Sequence, residues 1–220
     1  MKIKLNYFEN TNFLDKSEWT RMIHFLLQKI YQTNIGKLLI DNIDDNLGPE
    51  QYITISNYSK YKSFQYPCYN SMENSICIPE TPYFIDVPVI SKKFNYKDSE
   101  IFLQNIFNSV PLNDKLSDTF IQSFSSYRFQ PYYVILFHEL VHCLRHLKDI
   151  NSNHEEESTI YGIKNQTLII NGVYITENNF RKEVGLLPRI SHDSRDKYIY
   201  KVTKKKLDTK TLKEMFFLLK

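Results

Sequence analysis

Residues Tyr132 to Leu147 form an apolar run broken only by a few polar side chains, at the centre of which stands His138-Glu139-Leu140-Val141-His142. No other feature constrains the chain as much. The run reads as one buried helix, and at 3.6 residues per turn two imidazoles four positions apart project from the same face. Two nitrogens so placed can grip one zinc ion, with Glu139 on the same side within reach of a water. Burying three titratable side chains among Val134, Ile135, Leu136, Phe137, Leu140 and Val141 is costly unless they share a partner. A metal ion supplies one. A core helix with separately satisfied histidines is the plainer alternative.

A zinc ion kept for catalysis takes three protein ligands and leaves a position open. Glu155-Glu156-Glu157 lies downstream, in a predicted short helix after the loop Asp149 to His154. Packed against the first helix, that element turns one carboxylate inward, while its neighbours, rotated by about 100° each, face elsewhere. Otherwise three acidic residues in a row make a solvated face. His146 and His154 are competing ligands. His146 keeps the four-residue step but lies about a full turn too far along the axis, which puts it beside the site or on the surface. Cys143, one residue after His142, leaves the histidine face and reads as packing.

The rest of the chain predicts an α+β fold in a single domain, 1–220, with a helical core, a small mixed sheet and a β-hairpin. Residues 2–7 alternate like a strand, Ser17 caps a helix through Tyr31, and a short helix covers Lys37 to Asn42 after Gly36. Residues 51–56 alternate like a strand, 57–82 read as a long loop, and Tyr83 to Ile90 as a strand that Pro88 places at an edge. Two helices broken near Pro111 are expected over 98–125, and a last one over Lys210 to Lys220. Asn171-Gly172 between Thr167-Leu168-Ile169-Ile170 and Val173-Tyr174-Ile175-Thr176 predicts a hairpin with a two-residue type I′ turn. Thr176 then caps a helix from Glu177 to Val184, stopped by Gly185.

Aromatics at 15% suffice for a packed core. The net charge of +3 is scattered apart from Lys204-Lys205-Lys206, so no nucleic-acid partner is expected. Without an 18-residue apolar stretch, or an apolar segment after Met1-Lys2-Ile3-Lys4, neither a membrane span nor a cleavable signal peptide is expected. Cys68, Cys77 and Cys143 lack paired spacing and fit a reducing compartment.

Phe137-His138-Glu139-Leu140-Val141-His142, then Glu155-Glu156 with Thr159, then Thr176 through Arg189 resemble the NleD-type zinc metallopeptidases, type III secretion effectors of bacterial pathogens. The same order is similar, more distantly, to the light chains of clostridial neurotoxins. The resemblance is specific over 130–192, faint over Glu18 to Ile43 and absent over 45–128. It implies a zincin-like, gluzincin-type endopeptidase in which His138, His142 and Glu156 hold Zn2+, with Glu155 the alternative third ligand. Glu139 would be the general base, Glu177 a carboxylate orienting a zinc-bound histidine, Thr159 a supporting residue behind the ligands, and Arg189 the transition-state arginine. Where the family carries a tyrosine three residues after that arginine, this chain has His192; either His192 takes over its hydrogen bond, or Tyr198 or Tyr200 does. The implied substrate is a host protein such as a stress-activated MAP kinase, cut in the host cytoplasm by a monomer secreted from a bacterium. Two other readings compete: a bacterial intracellular zinc peptidase acting on a regulatory protein, and a non-enzymatic module whose structural zinc takes a fourth ligand from Cys143, His146 or His154.

Overall fold

The structure, a computed structural model, describes residues 1–9, 14–58, 67–79, 86–90, 105–106, 108–113, 116, 125–150 and 152–192. In chain order its elements are β1 (Ile3–Asn6), α1 (Lys16–Tyr31), α2 (Asn34–Asn46), β2 (Ile53–Ser56), β3 (Cys68–Asn70), β4 (Ser75–Cys77), β5 (Asp86–Ile90), β6 (Ser125–Phe129), α3 (Tyr132–Leu147), α4 (Glu155–Ile160), β7 (Ile169–Ile170), β8 (Val173–Tyr174) and α5 (Glu177–Glu183). The class is α+β. Among the described residues, no helix is long and apolar enough to cross a membrane.

The histidine helix α3 spans the expected residues, and its side chains from Val134 to Arg145 are buried except at Glu139. A helix apolar on all sides belongs in the middle of a fold. Here α3 touches α1, α2, α4, α5 and β3. Helix α1 lays Trp19, Met22, Ile23, Leu26, Leu27 and Ile30 into this core, and Trp19 Nε1 donates to the Ile78 carbonyl just past β4. Its cap is Asp15, not Ser17. Asp15 accepts from the Glu18 amide while Glu18 reaches back to the Asp15 amide, and the Ser17 hydroxyl donates to the same carboxylate.

Helix α2 begins at Asn34, earlier than the expected Lys37, because the Thr33 hydroxyl accepts from the Gly36 amide and Glu183 of α5 accepts from the amides of Asn34 and Ile35. Only glycine fits at position 36, where a Cβ would stand 2.0 Å from the Ile30 carbonyl oxygen. At the other end of α2 the Lys2 ammonium donates to the carbonyls of Asp44 and Leu47.

The main sheet has the order β1-β2-β4-β3, with β1, β2 and β4 parallel and β3 antiparallel at the edge. Strands β3 and β4 lie inside 57–82, which the sequence reading made a loop. At three residues each they are too short to show a two-residue period, and Asn74 (φ 49°) closes the turn between them. Strand β6 was likewise not expected; it pairs with β5. The edge predicted at Pro88 is covered: Ile190 donates to the Pro88 carbonyl and Ile90 to that of Pro188, which fastens the segment carrying Arg189 to β5. Of the helices expected over 98–125, Asn105, Ile106 and Asn108 are helical, Leu112 bridges to Ile163, and most of the remaining positions lie outside the described residues. The helix expected over Lys210 to Lys220, with Tyr198, Tyr200 and Lys204 to Lys206, lies outside the described residues.

The hairpin forms as expected, with Asn171 (φ 50°) and Gly172 (φ 79°) both left-handed, as a type I′ turn requires. Thr176 caps α5 by accepting from the Asn179 amide, and Gly185 (φ 76°) ends it. Phe180 of α5 stacks on Phe137 of α3 with ring centroids 4.1 Å apart. Both rings are fully buried, so Phe180→Ala should cost about 3–5 kcal/mol, read as a lower denaturant midpoint. Met72→Ala, at the most exposed apolar side chain described, should change stability by less than about 0.5 kcal/mol in the same measurement.

Candidate metal centre

Helix α3 sets the His138 and His142 rings edge to face, with their Nε2 atoms 3.0 Å apart. Two imidazole lone pairs at that distance repel unless a proton or a cation stands between them. After α3, the left-handed Asp149 (φ 52°) turns the chain back, and α4 presents Glu156. Its Oε2 lies 3.1 Å from His138 Nε2 and 3.4 Å from His142 Nε2. The edges of a tetrahedral zinc site with bonds near 2.0–2.1 Å are about 3.3 Å. These three atoms therefore already have the spacing of three corners of such a site, and they form the metal-competent cluster among the described residues.

The second nitrogen of each ring is also held by a carboxylate. Glu177 Oε2 is 2.9 Å from His138 Nδ1, and Glu155 Oε1 is 2.9 Å from His142 Nδ1. A carboxylate on Nδ1 fixes the tautomer that leaves Nε2 for a metal and strengthens it as a donor. So the adjacent Glu155 and Glu156 divide two jobs, one behind a ligand and one as a candidate ligand. Glu155 is a contact the sequence reading offered only as an alternative ligand.

Glu177 is completely buried. Arg189 Nη1 donates to its Oε2 at 2.7 Å, and Arg181 Nη1 stands 3.5 Å from Oε1 as an ion pair without a hydrogen bond. Burial pushes the Glu177 pKa up, but Arg189, the His138 hydrogen bond and Arg181 outweigh it and hold the group well below the usual carboxylate range. The remaining Arg189 donors are engaged too, Nε on the Ser191 carbonyl and Nη2 on that of His192. Asn178 grips the same residue through two bonds, accepting from the Arg189 amide and donating to its carbonyl. Arg181 and Asn178 had no assigned role in the sequence reading, although both lie in the segment that carried the resemblance.

Glu139 is half-buried, and its Oε2 accepts from the backbone amide of Tyr69 on β3 at 2.7 Å. No sequence signal marks a backbone donor 70 positions away. His192 stands at the rim, its Nε2 3.5 Å from Glu156 Oε2 and its pKa lowered by burial. Thr159 is buried, but among the described residues its hydroxyl has no hydrogen-bond partner, so no hydrogen bond ties it to Glu156 or the histidines. The other donor candidates sit apart. Cys143 Sγ faces Asn74 Oδ1, the His146 ring lies against Tyr69, and exposed His154 precedes α4.

Burial opposes charge on His142, but hydrogen bonds to Glu155 and Glu156, with the attraction of Glu139 and Glu156, hold its pKa up at about 10. His138 is raised in the same way by Glu156 and Glu177. Without a cation His142 keeps its second proton through the neutral range, and a metal must displace it. Apparent zinc affinity should therefore rise from pH 6 to pH 8, about tenfold per unit for each proton displaced, in chelator competition. A flat profile would show that the rings are already neutral. Glu177→Gln should weaken zinc binding about 10–100-fold at pH 7.

No protein-family model, curated protein or solved structure matches this chain.

Proposed function

We propose that this chain is a zinc-dependent endopeptidase with a zincin-like fold of the NleD type. The observation that carries the reading is the tetrahedral spacing of His138 Nε2, His142 Nε2 and Glu156 Oε2, with the Glu139 carboxylate on the residue next to the first ligand. Zinc suits two imidazoles and a carboxylate, and with a position left for solvent it supplies Lewis acidity, acidifying water and polarising a carbonyl. A purely structural zinc wants a fourth protein donor. Among the described residues, Cys143, His146 and His154, which that reading needs, stand outside the cluster.

The protein's own groups then do the proton work. Glu139 takes a proton from the attacking water and hands it to the leaving amine, while the Tyr69 amide holds its Oε2 and fixes the side chain. Glu177 and Glu155 keep the two rings in place. His192 at the rim donates a hydrogen bond to the oxyanion that develops on the scissile carbonyl. Arg189, in the orientation seen, keeps buried Glu177 ionised and anchors the segment bearing His192; to meet the oxyanion itself it would have to leave three acceptors.

A peptide substrate fits the surroundings. Strand β3 is a sheet edge beside Glu139; its outward-facing Tyr69 gives its amide to Glu139, and the Tyr69 carbonyl on the same side can accept from the backbone of an extended peptide. The substrate we propose, a host stress-activated MAP kinase met in the host cytoplasm after secretion, rests on the resemblance over 130–192.

Glu139→Gln should lower cleavage by about 100-fold or more while zinc content stays unchanged. New N-termini mapped in host-cell lysate should appear with the wild-type protein and vanish with the variant or with a chelator. A variant that cuts as well as the wild type would remove Glu139 from the mechanism. Chelator-insensitive cleavage would remove the metal.

A further inference from the structure

Cys68 opens β3 and Cys77 closes β4, and the two are direct cross-strand partners. The Tyr69 amide points out of the sheet to Glu139, so the Tyr69–Ile76 pair makes no ladder bonds and the flanking Cys68–Cys77 pair is the hydrogen-bonded one. Such partners have Cα atoms about 5.5 Å apart and Cβ atoms about 4.5–5.5 Å apart. A disulfide accepts Cα separations of about 4.4–6.8 Å but wants Cβ atoms within about 3.5–4.5 Å. The two thiols can thus be joined by a small local shift that draws β3 towards β4. A strained bond of this kind is easily reduced again, as regulatory disulfides are.

The third cysteine is on the wrong side. Tyr69 packs its ring against His146, near Cys143, so strand alternation turns Cys68 and Cys77 to the opposite face of the sheet. Burial pushes the Cys143 thiol up to about 12, which makes it inert at neutral pH. All three cysteines are reduced in the structure.

We propose that Cys68 and Cys77 are a redox modification site, a reversible cross-strand disulfide formed by a peroxide. Cys68, at 9% exposure the more accessible of two buried thiols, attacks hydrogen peroxide to give a sulfenic acid and water. The Cys77 sulfur then attacks the Cys68 sulfur, the S–S bond forms, and the hydroxyl leaves as a second water with the Cys77 proton. Two thiols lose two electrons and the peroxide gains them. The consequence for the metal centre, which rests on the peptidase reading, follows from the chain itself. The amide that holds Glu139 belongs to the peptide bond between Cys68 and Tyr69, so pulling Cys68 towards β4 draws this donor off the carboxylate. The ligands are nitrogens and an oxygen, so peroxide has no thiolate to strip from the metal.

The test uses the full-length, zinc-loaded protein exposed to hydrogen peroxide and then denatured and alkylated without reductant. One alkyl group instead of three should be taken up, with Cys68 joined to Cys77 in a chymotryptic map. Zinc content should hold, cleavage should fall at least about tenfold, and a thiol reductant should restore it. Cys77→Ser and, independently, Cys68→Ser should keep reduced-state cleavage and resist peroxide. Three alkyl groups, over-oxidised cysteines without a cross-link, or a link to Cys143 would overturn the site. A Cys68–Cys77 link that leaves cleavage unchanged would overturn its control of Glu139. Should the reduced protein cleave nothing, the peptidase reading fails, and the alkylation count still decides whether the disulfide forms.

Discussion

A carboxylate with no solvent contact, Glu177, holds the centre of this protein together. Ionised and unpaired, such a group would cost several kcal/mol, and removing one partner from a buried pair is typically worth about 3–5 kcal/mol. Three cations or potential cations meet it: His138 from α3, Arg181 from its own helix, and Arg189 from the strand-like segment bridged to β5. One charge therefore fixes the relative positions of the histidine helix, α5 and the segment that ends in His192. The Asn178 bonds to Arg189 and the Gly185 stop bring the chain back to the same point.

Around that charge the two histidines are arranged alike, each with a carboxylate on Nδ1 and the shared Glu156 before Nε2. Only Glu177 is buried; Glu155 and Glu156 are about half-exposed on the short α4. Among the described residues the candidate ligands are buried on the α3 and α5 side and half-exposed on the α4 side, where His192 stands. Fully buried Arg145 adds positive charge behind α4 that favours the ionised Glu155, while its Nη1 donates to the Gln166 carbonyl.

Much of this was legible in the sequence where one side chain alone carries the signal. The sixteen residues of α3 stand out because they are apolar on all sides up to the last turn except where the His-Glu-x-x-His pattern falls. Asn171-Gly172 dictates its turn, and Thr176 and Gly185 bracket α5. What was not legible depends on partners brought in from elsewhere. Asp15 outcompetes Ser17 as a cap because Glu18 completes the box, and α2 gains its first residues from Glu183, far along the chain. Strands β3 and β4 are too short for any periodicity, and their existence is decided by β2 and α3. Spacing could turn one of three consecutive carboxylates inward but not show that a second would grip the back of His142. A backbone donor such as the Tyr69 amide leaves no trace in residue identity at all.

Zinc K-edge absorption spectroscopy on the zinc-loaded protein reads the metal donor set without a substrate. One zinc per chain is expected, with four nitrogen and oxygen donors at about 2.0–2.1 Å, two of them imidazoles, one a carboxylate and one solvent, and a single imidazole left in His142→Ala. No stoichiometric zinc, a sulfur donor at about 2.3 Å, or a fourth protein ligand in place of solvent would contradict it.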